Sequence, residues 1–138
     1  MNQESILFPV FALGGLTFFV SLWMARLRFV AVKRGDLDRR YYKLNRGWEL
    51  PDYLVKVSRN FENLLEIPVL FYVAALMIYL TKQADFAHVA LAWAYVGTRF
   101  VHTYVHTTYN NVRHRMIPFM LGGILLIAMW VRLFVQII

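Results

Sequence analysis

Residues 6–32 read ILFPVFALGGLTFFVSLWMARLRFVAV, and the first charged residue among them is Arg26. A helix rises 1.5 Å per residue, so the uncharged stretch before Arg26 reaches about 30 Å, the hydrocarbon thickness of a bilayer. Three more apolar runs follow, at Phe61–Leu80, Phe86–Thr107 and Ile117–Ile138. None alternates polar and apolar residues, which selects helices over the strands of a membrane barrel. Residues 1–138 therefore read as a single all-α domain, a four-transmembrane-helix bundle in a multi-pass integral membrane protein. Composition agrees: a soluble domain of 138 residues could not hide a chain that is 59% hydrophobic. The opening MNQES has no basic region and precedes a long apolar run, so the first helix is expected to be retained rather than cleaved.

The net charge of +7 has an uneven distribution. Lys33, Arg34, Arg39, Arg40, Lys43, Arg46 and Lys56 lie between the first two runs, and Arg113 and Arg115 between the last two. The middle connection holds only Lys82. Loops one and three of a four-pass chain share a side, and the positive-inside rule makes that side cytoplasmic; in a bacterial cell the membrane would be the inner one. The basic charge then reports orientation and contact with anionic membrane lipids, and no nucleic-acid partner is expected. The chain has no cysteine, which excludes disulfides, thiolate metal sites and a cysteine nucleophile.

The first loop, KRGDLDRRYYKLNRGWELPDY, reads as an interfacial segment with Tyr41, Tyr42 and Trp48 near lipid headgroups. Asp36 and Asp38 are expected to form surface salt bridges with Arg39 and Arg40. Pro68 should kink the second run and free the Leu64 carbonyl. Pro118 should begin the fourth helix, Gly122 and Gly123 should permit close helix packing, and Arg28 and Arg132 should snorkel to the interface.

Ionisable residues inside apolar runs are costly and mark function. Arg59, Asn63 and Glu66 fall at i, i+4 and i+7, one stripe of the second helix. Tyr95, Arg99, His102, His106, Asn110 and Arg113 form a second stripe along the third. Arg26 lies at a corresponding depth in the first. Together they predict a cationic pocket open toward the cytoplasmic leaflet, with Glu66 paired to Arg99 or Arg26. His102 and His106 lack an acidic third ligand nearby, so no metal is expected.

These features resemble the MAPEG family, membrane-associated proteins in eicosanoid and glutathione metabolism, of the microsomal glutathione transferase and prostaglandin E synthase kind. The family's R-x-x-x-N-x-x-E pattern matches Arg59, Asn63 and Glu66. Its R-x-x-H/Y-x-x-x-Y pattern matches Arg99, His102 and, with histidine for tyrosine, His106. The Arg26–Arg28 triplet is similar to the end of the family's first helix. A tyrosine that often follows the second-helix glutamate is absent, since the chain reads EIPVLFY there.

The resemblance implies a homotrimer binding glutathione between subunits, with Arg26, Arg59, Asn63, Glu66, Arg99, His102 and His106 as its ligands. It further implies a thiol-activating arginine, Arg113 or Arg115; Arg113 is preferred because it continues the third-helix face. The implied activity is transferase or peroxidase-like, with a hydrophobic small molecule or lipid as second substrate. The alternative is a non-catalytic lipid- or glutathione-binding protein, since the family also contains a non-catalytic member; a small channel is a more remote reading.

Overall fold

A computed structural model describes residues 2–138. Its described residues form helices and connecting turns, with no strands. A short 3-10 turn at Gln3–Ile6 leads into α1 (Leu7–Arg34), followed by α2 (Tyr41–Leu44), α3 (Asp52–Leu65), α4 (Pro68–Leu80), α5 (Phe86–Thr107) and α6 (Val112–Ile137). Three helical rods are long and apolar enough to cross a membrane: Gln3–Arg34, Asp52–Leu80 and Val112–Ile137. The middle rod is α3 and α4 end to end. It breaks where Glu66 turns out of helical geometry (φ −86°, ψ −96°) and Pro68 starts α4, because proline cannot donate to the Leu64 carbonyl.

Local signals account for the ends. Gly35 closes α1 in the left-handed conformation (φ 80°), its N–H returning to the Ala31 and Val32 carbonyls. Asp85 caps α5 by accepting from the His88 N–H, and Asn111 caps α6 by accepting from the Arg113 and His114 N–H groups. The Asn111 cap starts α6 earlier than expected, so Pro118 lies inside the helix rather than at its beginning.

Phe71, Ala74, Ala75 and Ile78 of α4 pack against Leu13, Leu16 and Val20 of α1, Tyr95 of α5 and Met129 and Leu133 of α6 in one apolar core. The Phe71 and Tyr95 rings stack at 4.8 Å. A smaller cluster of Ala31, Leu37, Tyr41 and Leu54 folds the first loop back on α1 and α3. Tyr41 is thus an interior residue rather than one facing headgroups. Asp36 and Asp38 do not form the expected salt bridges: Asp36 accepts from the Tyr53 hydroxyl at 2.9 Å, and Asp38 accepts from the Arg40 N–H at 2.7 Å. Short acidic side chains in a turn reach a neighbouring N–H or hydroxyl more readily than the exposed tips of Arg39 and Arg40.

Polar fasteners tie both ends of the bundle. At one end Lys56 donates to the Thr108 carbonyl at 3.2 Å, placing the first turns of α3 beside the α5–α6 turn. At the other, Gln3 exchanges two hydrogen bonds with the Ala84 backbone, and Asp85 accepts from Arg132 and Gln136. Arg132 thus reaches the end of the bundle, where it pairs with the Asp85 carboxylate. Partial burial pushes the Asp85 carboxyl up, but hydrogen bonds from Arg132 and the His88 N–H, with the Arg132 charge, hold it at about 2 against an ordinary 3.8. A depressed carboxyl contributes stability above its unfolded pKa and loses it as pH falls through the folded one. Thermal unfolding in detergent should show stability falling from about pH 3.8 to about 2. Asp85→Asn should flatten that part of the profile and lower stability at neutral pH.

Much apolar surface stays uncovered. Phe11, Phe18, Leu22 and Phe29 on one face of α1 are 72%, 75%, 73% and 80% exposed. Such a face is stable only against lipid or another apolar surface.

Candidate functional site

The α5 stripe turns inward. Arg99 is 2% exposed, His102 5% and His106 2%, all packed where α5 meets α6. The Arg99 guanidinium donates through Nη2 to the Pro118 and Phe119 carbonyls at 3.3 and 3.1 Å. It also lies 5.2 Å from the Tyr95 ring centre and 5.3 Å from that of Phe119. Two carbonyls and two π faces thus surround a charge in a dry environment. The approach depends on Gly122, where an added Cβ would sit 2.4 Å from Arg99 Nη2 and 2.6 Å from Thr98 Oγ1.

One turn closer to the α5–α6 connection, two histidines hold a second arginine. His102 Nδ1 lies 3.0 Å from the Arg115 carbonyl. A carbonyl only accepts, so His102 carries its proton on Nδ1. Arg115 Nη1 donates to His106 Nε2 at 3.1 Å and to Asn110 Oδ1 at 2.9 Å. That bond requires a lone pair on His106 Nε2, hence a neutral ring protonated at Nδ1. The two imidazoles meet edge to face at 5.4 Å. Arg115 is fixed at its backbone and along one edge of its half-buried guanidinium.

The remaining predicted residues lie elsewhere. Arg26, Arg59, Glu66 and Arg113 are exposed and Asn63 half-buried; none makes a side-chain hydrogen bond or ion pair among the described residues. The expected pairing of Glu66 with Arg99 or Arg26 is absent. Arg99 finds the α6 carbonyls instead, while Glu66 sits at the exposed break between α3 and α4. Arg113 does not continue the α5 face, because α5 ends at Thr107 and Asn111 starts a new helix. Within one chain, the two stripes do not close into the single pocket expected. Arg59 is nevertheless within electrostatic reach of His106.

Two adjoining grooves run beside α1. One, of about 410 Å³, is lined by Trp23, Arg26, Leu27, Arg34, Tyr53 and Thr107 among others and carries both arginines. The other, of about 580 Å³, is almost wholly apolar and runs between α1 and α5 past Leu16, Phe19, Phe100 and Tyr104. Trp23 and Thr107 border both, so a cationic compartment opens beside an apolar one.

Three contributors escaped the sequence reading. Asn60, fully buried, bridges α3 to α5 by donating to Thr103 Oγ1 at 3.3 Å, and its own Oδ1 has no partner. Its signal was available: Asn60 lies three residues before Asn63 and one after Arg59, in a helix of otherwise apolar inward positions. Thr103 and the cradle role of Gly122 had no comparable signal.

No curated protein and no solved structure matches the chain. The sequence profile described as the MAPEG family matches residues 6–135, nearly the whole length. With an all-helical fold and three helices of membrane-crossing length, this membrane protein belongs to the MAPEG family, whose members act in eicosanoid and glutathione metabolism.

Proposed function

We propose that the protein is a glutathione-dependent membrane transferase or peroxidase-like enzyme that acts on hydrophobic electrophiles or lipid hydroperoxides. In this reading α5 crosses the bilayer as a fourth pass, the basic loops face the cytoplasm, and three copies form a homotrimer. The observation that carries it is a set of unpartnered charges exposed on the helices, Arg26, Arg59 and Glu66, together with a pre-positioned Arg115 that lies apart from them within one chain. Exposed charges among lipid-facing residues imply a polar ligand that compensates them.

The donor set fits glutathione, which has two carboxylates, an ammonium and a thiol. Arg26 and Arg59 offer forked donors for carboxylates, Glu66 suits the ammonium, and Asn63 can serve either polarity. When bound, glutathione supplies the nucleophilic sulfur that this cysteine-free chain lacks. Arg115 contributes fixed positive charge, which favours a thiolate over a thiol. Its Nη1 is committed to His106 and Asn110, and the rest of its fork is free to face a ligand. Arg113, exposed and untethered, would lose more side-chain freedom on binding and is the weaker choice. Arg99, His102 and His106 support this arrangement from behind. The apolar groove beside α1 would receive the second substrate from the bilayer.

Purified protein in nanodiscs should conjugate glutathione to 1-chloro-2,4-dinitrobenzene or reduce a fatty-acid hydroperoxide. Absence of turnover above background with several acceptors of both classes would overturn the enzymatic reading. Tight glutathione binding under those conditions would favour the non-catalytic alternative.

A further inference from the structure

Another face of α1 carries chemistry that glutathione binding does not use. Ala25, Arg28, Phe29, Val32 and Lys33 follow helical spacing and share one side of the helix. With Arg39 and Tyr42 of the first loop they line a groove of about 650 Å³. The lining contains three cations and no carboxylate. Asp36 and Asp38 line an adjoining groove with Arg39 but do not pair with it: Asp36 accepts from the Tyr53 hydroxyl and Asp38 from the Arg40 N–H. None of the three cations is in an ion pair among the described residues.

Cationic and apolar side chains interleave along the groove. The Arg28 guanidinium is held over the Tyr42 ring at 5.6 Å, so the loop positions this cation before any ligand arrives. Lys33 lies about 7 Å further along α1, and Arg39 enters from the loop at that end. Beside and between them the wall is hydrocarbon: Ala25, Val32 and Phe29, which is 80% exposed. A lone snorkelling arginine needs only water. Three cations outside any ion pair, set among exposed hydrocarbon, match a ligand with an anionic head and a hydrocarbon tail.

We propose that this groove binds an anionic phospholipid, with its phosphate among Arg28, Lys33 and Arg39 and an acyl chain along Ala25, Phe29 and Val32. A zwitterionic lipid has the same phosphate but brings a cationic group toward the same three side chains, so the site discriminates by net headgroup charge. The inference does not depend on glutathione chemistry.

Native mass spectrometry of delipidated protein titrated with phosphatidylglycerol or phosphatidylcholine tests it. Phosphatidylglycerol should bind more tightly, and Arg28→Gln/Lys33→Gln/Arg39→Gln should weaken it about 100-fold, or about fivefold per cation. Arg40→Gln/Lys43→Gln/Arg46→Gln removes the same amount of charge from the first loop, outside the groove, and should leave affinity nearly unchanged. Should the first triple variant not fold, Arg39→Glu alone, on an exposed loop, should weaken phosphatidylglycerol at least about fivefold. Equal losses in both triple variants would reduce the effect to general surface potential and overturn the site. So would equal binding of the two lipids, an unweakened single variant, or displacement of the lipid by millimolar inorganic phosphate.

Discussion

Arg115→Ala is expected to lower glutathione-dependent turnover about 100- to 1,000-fold, the usual consequence of removing a positioned donor from developing negative charge. Glutathione affinity, measured by calorimetry, should change little, because Arg26, Arg59 and Glu66 carry that binding in the proposed arrangement. Arg113→Ala should have a much smaller effect on turnover. The histidine clamp sharpens the test. His106→Ala removes one of the two acceptors that hold Arg115 Nη1, so it should lower turnover while sparing affinity. Arg115→Ala/His106→Ala should then be no worse than Arg115→Ala alone, since both changes disable one device. His106→Gln retains an acceptor and should recover part of the loss. Multiplying effects, together with weakened glutathione binding in His106→Ala, would make His106 an independent ligand instead.

The largest effect on stability is expected at a residue without a side chain. Gly122→Val should destabilise the protein by about 3 kcal/mol or more, through overpacking and displacement of a buried cation from its acceptors. An added Cβ meets Arg99 Nη2 and Cζ and Thr98 Oγ1 at once. Thr98 cannot swing aside cheaply, because its hydroxyl donates to the Tyr95 carbonyl at 2.6 Å. At the neighbouring Gly123 an added Cβ would meet nothing within 4 Å, so Gly123→Ala should be neutral or stabilising. Thermal unfolding of both variants in the same detergent decides the matter. Equal behaviour would show that Arg99 does not depend on the bare α6 backbone.

Helical periodicity, apolar run lengths and the Pro68 break were legible because they depend on the order of residues along one chain segment. The grouping of Arg99, His102 and His106 on one face was legible for the same reason. What that face meets was not. Charge matching pointed Glu66 toward Arg99, yet a guanidinium fork also donates to backbone carbonyls when a glycine lets it approach them, as Gly122 does here. The early start of α6 did have a local signal in Asn111, and reading it would have removed Arg113 from the α5 face. The pairing of Arg132 with Asp85 was not legible, because 47 residues separate them and no spacing rule reaches that far. Asn60 has a local signal in the inward row of α3 and Thr103 has none; their bond exists only because α3 and α5 pack together.

The contacts of Arg99 also bear on how the chain enters a membrane. Unlike the other long helical segments, α5, at 22 residues, is long enough to cross a membrane but not apolar enough to count among the membrane-crossing helices. A charged residue near the middle of a solitary helix opposes partition from the translocon into lipid. The groups that compensate Arg99 are backbone carbonyls of α6, which is synthesised later. In the four-pass arrangement α5 would therefore wait at the translocon until α6 emerges, and the two would move into the bilayer together as a hairpin.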